Sequence, residues 1–210
     1  MQKIQIELAR RVALFGVSTV YEAAGQRGLV DVPLIQLVPD SRLSGPARTV
    51  RCGQDDNLMV HAVMEQAEPG EVLVITMPRP TPIALVGELL ALQAHARGVA
   101  GLLVDAAVRD VEDLVRLGLP IWCRYVRAAA ATKKEIGAVG EPVTVGGARI
   151  EQGDVVVMDA DGAVVVPAAR IKEVVVAAQA RAQREGSLRE KLSAGQLTYD
   201  LHGLRQLVEG

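Results

Sequence analysis

An α/β sandwich is the fold class predicted for this chain, and three observations carry that prediction. Strand-length apolar runs alternate with helical stretches between residues 56 and 126. Short apolar runs separated by glycine-containing turn pairs fill residues 142 to 167. From residue 168 to 210 the chain reads as helix, forming a C-terminal arm. No composition shift marks a linker, so residues 1–210 are expected to form a single domain, which 210 residues can do without staples.

Taken in order, residues 2–15 predict a helix with Ile4, Leu8, Val12 and Phe15 on one face. Thr19 and Glu22 have the spacing of a capping box, and Gly25 and Gly28 limit the helix that follows. Pro33 to Pro46 is expected as connector and Ala47 to Gly53 as a strand. Asp56 can cap a helix over Asn57 to Ala67, which Pro69-Gly70 ends. Val72 to Met77, a continuous apolar run, predicts a buried strand. Three prolines between 78 and 82 make a stiff loop that is neither helix nor central strand. A helix over 84–97 stops at Gly98, a strand covers 101–105, and a short helix runs from Asp110 to Leu117 before Gly118. A strand at 121–126 follows. Gly146-Gly147, Gly153-Asp154 and Asp161-Gly162 are turn signals between the later strands, and 168–184 is one long helix.

Composition removes several function classes. The net charge of −2 leaves no electrostatic footprint for nucleic acid or an anionic membrane. Aromatics are few, one Phe, one Trp and three Tyr, so stacking platforms for single strands are lacking. No apolar leader region and no membrane-spanning window stand out, which predicts a cytoplasmic protein. Cys52 and Cys123 are isolated within strand-like runs and read as free buried thiols. His61, His95 and His202 have no second histidine at ligand spacing and read as surface or packing residues. Gly98-Val99-Ala100-Gly101 lacks the order of a dinucleotide fingerprint and precedes a strand.

Two short elements carry chemistry. Gly87-Glu88-Leu89-Leu90 sits near a helix start, where unpaired amides and the helix dipole attract a carboxylate. The same residues are consistent with a glycine that merely relieves packing and a glutamate that favours the positive helix end. Arg109-Asp110 places a fixed cation beside a hard carboxylate after a strand, the end at which ligand crevices form in α/β sheets. Either Asp110 caps the helix that follows while Arg109 faces water, or Asp110 ligates Mg²⁺ or Mn²⁺ and Arg109 forks onto a carboxylate or developing enolate.

With these residues in place, the chain resembles the RraA-like family, which includes the 4-hydroxy-4-methyl-2-oxoglutarate aldolases. The resemblance rests on Arg42-Leu43-Ser44-Gly45-Pro46-Ala47-Arg48-Thr49-Val50, Asp56-Asn57-Leu58, Pro69-Gly70-Glu71-Val72-Leu73-Val74 and Gly87-Glu88-Leu89-Leu90. It continues through Arg97-Gly98-Val99-Ala100-Gly101, Asp105 to Arg109-Asp110, Gly146-Gly147, Gly153-Asp154 and the run Asp159 to Pro167. It implies an α-β-β-α sandwich of the swivelling β/β/α type, assembled as a homotrimer or hexamer. It also implies a class II pyruvate aldolase that depends on a divalent metal and decarboxylates oxaloacetate as a side activity.

The resemblance assigns substrate contact to the amides of Gly87, Glu88, Leu89 and Leu90, enolate stabilisation to Arg109 and the metal to Asp110. Glu88 would orient water, and Glu185 from a neighbouring subunit's helix would complete the site. The alternative the resemblance raises is a non-catalytic regulator that binds and inhibits ribonuclease E. A third reading is an enzyme acting on other oxo acids. Two departures from the family pattern stand out: Ala106 where glycine is usual, and the proline loop 78–82 where a Gly-Gly-Asp run is frequent.

Overall fold

The computed structural model describes residues 2–209. Helices α1 (Gln2–Ala13) and α2 (Val17–Ala23) come first, followed by strands β1 (Ile35–Gln36) and β2 (Leu43–Arg51). Alternating units follow: α3 (Leu58–Gln66), β3 (Val72–Thr76), β4 (Ala84–Val86), α4 (Glu88–Ala96), β5 (Gly101–Val108), α5 (Val111–Leu117) and β6 (Ile121–Val126). Then come β7 (Ala138–Val139), the β8 (Val143–Val145) and β9 (Ala148–Ile150) hairpin, and the β10 (Val155–Asp159) and β11 (Gly162–Val166) hairpin. A 3₁₀ turn, Ala168–Arg170, leads into α6 (Ile171–Ser193), α7 (Thr198–Leu201) and α8 (Arg205–Glu209).

One sheet runs β1-β6-β5-β3-β2-β10-β11, with β4 joined to β5 and β7 to β2. Its β2-β3-β5-β6 portion is parallel, whereas β10 pairs antiparallel with both β2 and β11. Strand β2 serves both halves: Leu43–Pro46 pair with β10, and Ala47–Arg51 pair with β3. The period of two then sorts each strand between layers. Val155, Val157, Val164 and Val166 face α1, α2 and α6. Val156, Met158, Ala163 and Val165 turn inward to meet Val72, Val74, Leu103 and Trp122. Leu73, Ile75, Leu102, Val104 and Ile121 pack outward beneath α3, α4 and α5. The order is helix, sheet, sheet, helix, the α-β-β-α sandwich expected. Trp122 anchors the inner layer, donating its indole N–H to the Asp159 carbonyl at 3.0 Å.

Several boundaries differ from the sequence reading. Leu43–Pro46 is strand rather than connector; it has a ladder neighbour on only one side, where the missing N–H of Pro46 is tolerated. Ala84–Val86 is a strand on β5, not the start of a helix, and α4 begins only at Glu88. Strand β5 continues past 105 to Val108. The 168–184 helix is Ile171–Ser193 after its 3₁₀ entry.

Thr19 lies inside α2, which starts at Val17, and no capping box forms. The Val17 N–H instead donates to the Asp159 carboxylate at 2.9 Å, brought from across the sequence. Val12 is buried and Leu8 and Phe15 pack on the valine layer as expected, while the side chain of Ile4 lies outside the described residues. Gly146-Gly147 makes the two-residue β8–β9 turn with positive φ at both positions, 51° and 79°. The cysteines are buried, and burial pushes both thiols up to about 12, leaving them inert.

Candidate functional site

Strands β4 and β5 end side by side: Val86 pairs with Val108, and the Arg109 N–H donates to the Val86 carbonyl at 3.0 Å. Gly87 therefore stands next to Arg109-Asp110, and the N-termini of α4 and α5 open at one edge of the parallel sheet. Gly87 has extended backbone, φ −131°, which any residue adopts, so conformation does not demand glycine there. Space does. A Cβ at Gly87 would lie 2.6 Å from Asp110 Oδ2 and 3.0 Å from Arg109 Nε.

Asp110 is left-handed, φ 61° and ψ 41°, a conformation that aspartate tolerates better than most residues at a cost on the order of 1 kcal/mol. This turn sends the carboxylate away from its own helix; Asp110 makes no side-chain cap on α5. Its Oδ2 instead accepts the Glu88 N–H at 3.1 Å, capping the neighbouring α4. Oδ1 has no hydrogen-bond partner among the described residues. Arg109 Nε stands 3.6 Å from Oδ2, too long to saturate either group, and the side chains are 45% and 43% exposed. The expected cap on the following helix is therefore not made; one oxygen caps α4 instead and the other is open.

A cleft of about 180 Å³ lies over this edge, bounded by Gly87 to Leu90 and Arg109-Asp110 on one side. Ala130, Ala131 and Lys133 form a second wall, and Asn57 and His61 from α3 a third. The amides of Leu89 and Leu90 belong to the first helical turn, where no intrahelical acceptor exists. Leu89 itself is exposed and Leu90 buried. All six of the expected same-chain residues, Gly87, Glu88, Leu89, Leu90, Arg109 and Asp110, line one cleft. Glu185 does not: it lies on α6 in an ion-pair cluster with Arg181 at 2.8 Å and Arg189 at 3.5 Å.

The second wall is held by Asp56, which is fully buried. Its carboxylate accepts the Thr132 hydroxyl and the Lys134 N–H, both at 2.6 Å, and the Leu58 N–H at 2.9 Å. Burial alone would raise its pKa, but these bonds and one from the Glu135 amide outweigh it and hold the group at about 2. Asp56 thus does cap α3, as expected, while pinning the cleft wall. His61, read as a packing or surface residue, is exposed and borders the cleft; partial burial and Lys133 lower its pKa. Its position four residues from Asn57 on a helix was the available signal.

Ala106 is buried within β5 and has no positive φ, so the departure from glycine strains nothing. The 78–82 loop is tied to Gln54 and Asp55 and does not line the cleft. Among the described residues no group of three or more His, Cys, Asp or Glu could hold a metal. A cation here would rest on the Asp110 carboxylate, with ligand oxygens and water completing the shell. Magnesium, with one or two protein carboxylates, is commonly held in that way, so the residues fit.

Comparison with known proteins identifies the family. The family model described as RraA-like (Aldolase/RraA) matches residues 17–165. A Halalkalibacterium halodurans protein named "Putative 4-hydroxy-4-methyl-2-oxoglutarate aldolase" is 37% identical over 152 residues, covering 72% of each chain. The structure of Streptomyces coelicolor RraAS2, titled an unusual member of the RNase ES inhibitor RraA protein family, matches with a TM-score of 0.80 and 31% identity. That match covers 88% of this chain and 98% of the other. An uncharacterized Pseudomonas syringae pv. tomato protein has a TM-score of 0.82 at 26% identity, covering 91% and 90%. No described helix is long and apolar enough to cross a membrane. The chain belongs to the RraA-like family.

Proposed function

We propose that this protein is a carbon–carbon lyase that cleaves 4-hydroxy-4-methyl-2-oxoglutarate, or a related 4-hydroxy-2-oxo diacid, to pyruvate, and decarboxylates oxaloacetate at the same site. The observation that carries the reading is the under-satisfied Arg109-Asp110 pair, facing a cleft beside the first-turn amides of Leu89 and Leu90. Asp110 would hold Mg²⁺ or Mn²⁺ through its open oxygen. When bound, the ion supplies Lewis-acid polarisation of the 2-oxo group, on a scale of several kcal/mol.

The chain's own residues do the rest. The Leu89 and Leu90 amides bind the substrate carboxylate at the positive end of α4. Arg109 donates to the keto oxygen, where negative charge collects as the C–C bond breaks and pyruvate enolate forms. Glu88 positions a water that removes the 4-hydroxyl proton in retro-aldol cleavage. The same water returns a proton to the enolate carbon in both reactions. Oxaloacetate loses CO₂ and needs only the second transfer. In a homotrimer or hexamer, Glu185 of a neighbouring subunit would close the site.

Purified protein assayed with oxaloacetate and with the 4-hydroxy-2-oxo diacid, with Mn²⁺ or with chelator, tests this. Metal-dependent pyruvate release is expected, and full activity in chelator or in Asp110→Ala would refute it. A second reading, ribonuclease inhibition, is favoured by the likeness to RraAS2. It predicts inhibition of ribonuclease E by both wild type and Asp110→Ala, with no pyruvate from either.

A further inference from the structure

Asn57 is more than nine-tenths buried and lines the cleft from the N-terminus of α3. Its amide has two ends with opposite fates. Nδ2 donates to the Leu85 carbonyl, on β4, at 2.9 Å. Oδ1 is buried and has no hydrogen-bond partner among the described residues. The reverse orientation would set two carbonyl oxygens against each other at that distance, so the network fixes which end is the acceptor. A buried acceptor without a donor is uncommon in folded proteins and destabilising until a ligand or water satisfies it. Asn57 thus brings a buried, unpaired acceptor into the lining of the cleft, opposite in character to the donors supplied by Arg109 and the α4 amides.

We infer that Asn57 Oδ1 is a specificity determinant that accepts a hydrogen bond from a hydroxyl group of the ligand. This rests on the lyase reading for its context, since of the two proposed substrates only the 4-hydroxy-2-oxo diacid brings a hydroxyl. Oxaloacetate has no such donor and uses the carboxylate and keto contacts alone. One cleft would thus distinguish its two substrates by a single acceptor. No covalent step involves Asn57, which touches substrate only through this bond.

A non-reacting pair tests the point apart from catalysis. 2-Hydroxyglutarate and glutarate differ by one hydroxyl and lack the oxo group that cleavage requires. Calorimetric titration of the wild-type protein with Mn²⁺ should show 2-hydroxyglutarate binding about fivefold more tightly, the scale of one net hydrogen bond. Asn57→Ala should bind both alike. Asn57→Leu, of similar volume, should do the same and separates loss of the acceptor from opening of a cavity. In kinetics, kcat/KM for the hydroxylated substrate should fall about fivefold further than that for oxaloacetate in both variants.

Equal affinities in the wild type, no binding of either acid, or a preference that survives in both variants would overturn the inference. A purely structural Asn57 would lower the melting temperature and leave the preference intact. A hydroxyl preference in a protein without lyase activity would sink the lyase reading while sustaining this one.

Discussion

Two arginine–carboxylate pairs in this molecule use the same chemistry to opposite ends. Arg48 and Glu71 meet through two parallel bonds of 2.9 and 2.8 Å, with side chains 14% and 5% exposed, and Glu71 also takes the Glu68 N–H at 3.0 Å. Arg109 and Asp110 have a single 3.6 Å approach, both nearly half exposed. In the first pair both carboxylate oxygens are taken by the guanidinium, which ties β2 to the entry of β3. The second keeps Oδ1 and most of a guanidinium unspent, so it can meet a ligand without first breaking a bond. The two pairs differ in how much hydrogen-bonding capacity each leaves open.

The contrast can be broken most forcefully at Glu71. Glu71→Ala leaves Arg48 buried without its partner and should cost about 3–5 kcal/mol of stability, read by denaturant unfolding. Activity measured well below the melting transition should persist. Arg109→Ala should do the reverse, lowering kcat/KM for oxaloacetate by about 10²–10³, the scale for losing one charge-stabilising donor, with little change in melting temperature. If both variants lose stability and activity together, the distinction between the pairs fails.

Asp56 sharpens the structural side. Its folded pKa, about 2, lies below the 3.8 usual for an aspartate, so its hydrogen bonds stabilise the fold above roughly pH 4. That stability, on the order of 2 kcal/mol, should drain away as pH falls from 4 toward 2. The acid limb of an unfolding titration should therefore flatten in Asp56→Asn, and an unchanged limb would exclude Asp56 as its source. The smallest effect is expected at Ala106. Glycine there should destabilise β5 by about 0.5–1 kcal/mol, whereas a gain in melting temperature would mean that the backbone favours a glycine conformation.

One half of this contrast was legible in the sequence, because Arg109 and Asp110 are chain neighbours, whereas Arg48 and Glu71 are 23 residues apart. Arg109-Asp110 and Gly87-Glu88 were readable as candidates from their places at a strand end and a helix start, and the apolar run of β3 predicted a buried strand. The short elements were not. Ala84–Val86 is three residues long, too short to show a period, and its apolar character merged into the helix beyond it. That strand is what sets Gly87 beside Asp110. Gly45-Pro46 read as breakers because a strand with one ladder neighbour tolerates what a central strand does not.

The far wall of the cleft was hidden for another reason. Asn57, His61 and Lys133 meet there across long-range contacts, among them the Asp56–Thr132 hydrogen bond, which joins segments 76 residues apart. The left-handed turn at Asp110, which decides where its carboxylate points, likewise has no signature beyond a residue that tolerates it.

On the proposed reading, the open oxygen of Asp110, with Arg109 beside it, holds a cation and an enolate-like anion together. Titration of Mn²⁺, followed by electron paramagnetic resonance with and without oxalate as the enolate mimic, measures this directly. Wild-type protein should bind the ion more tightly when oxalate is present, and Asp110→Ala should lose that binding while staying folded. Tight, oxalate-enhanced Mn²⁺ binding that survives in Asp110→Ala would place the cation elsewhere and contradict the account.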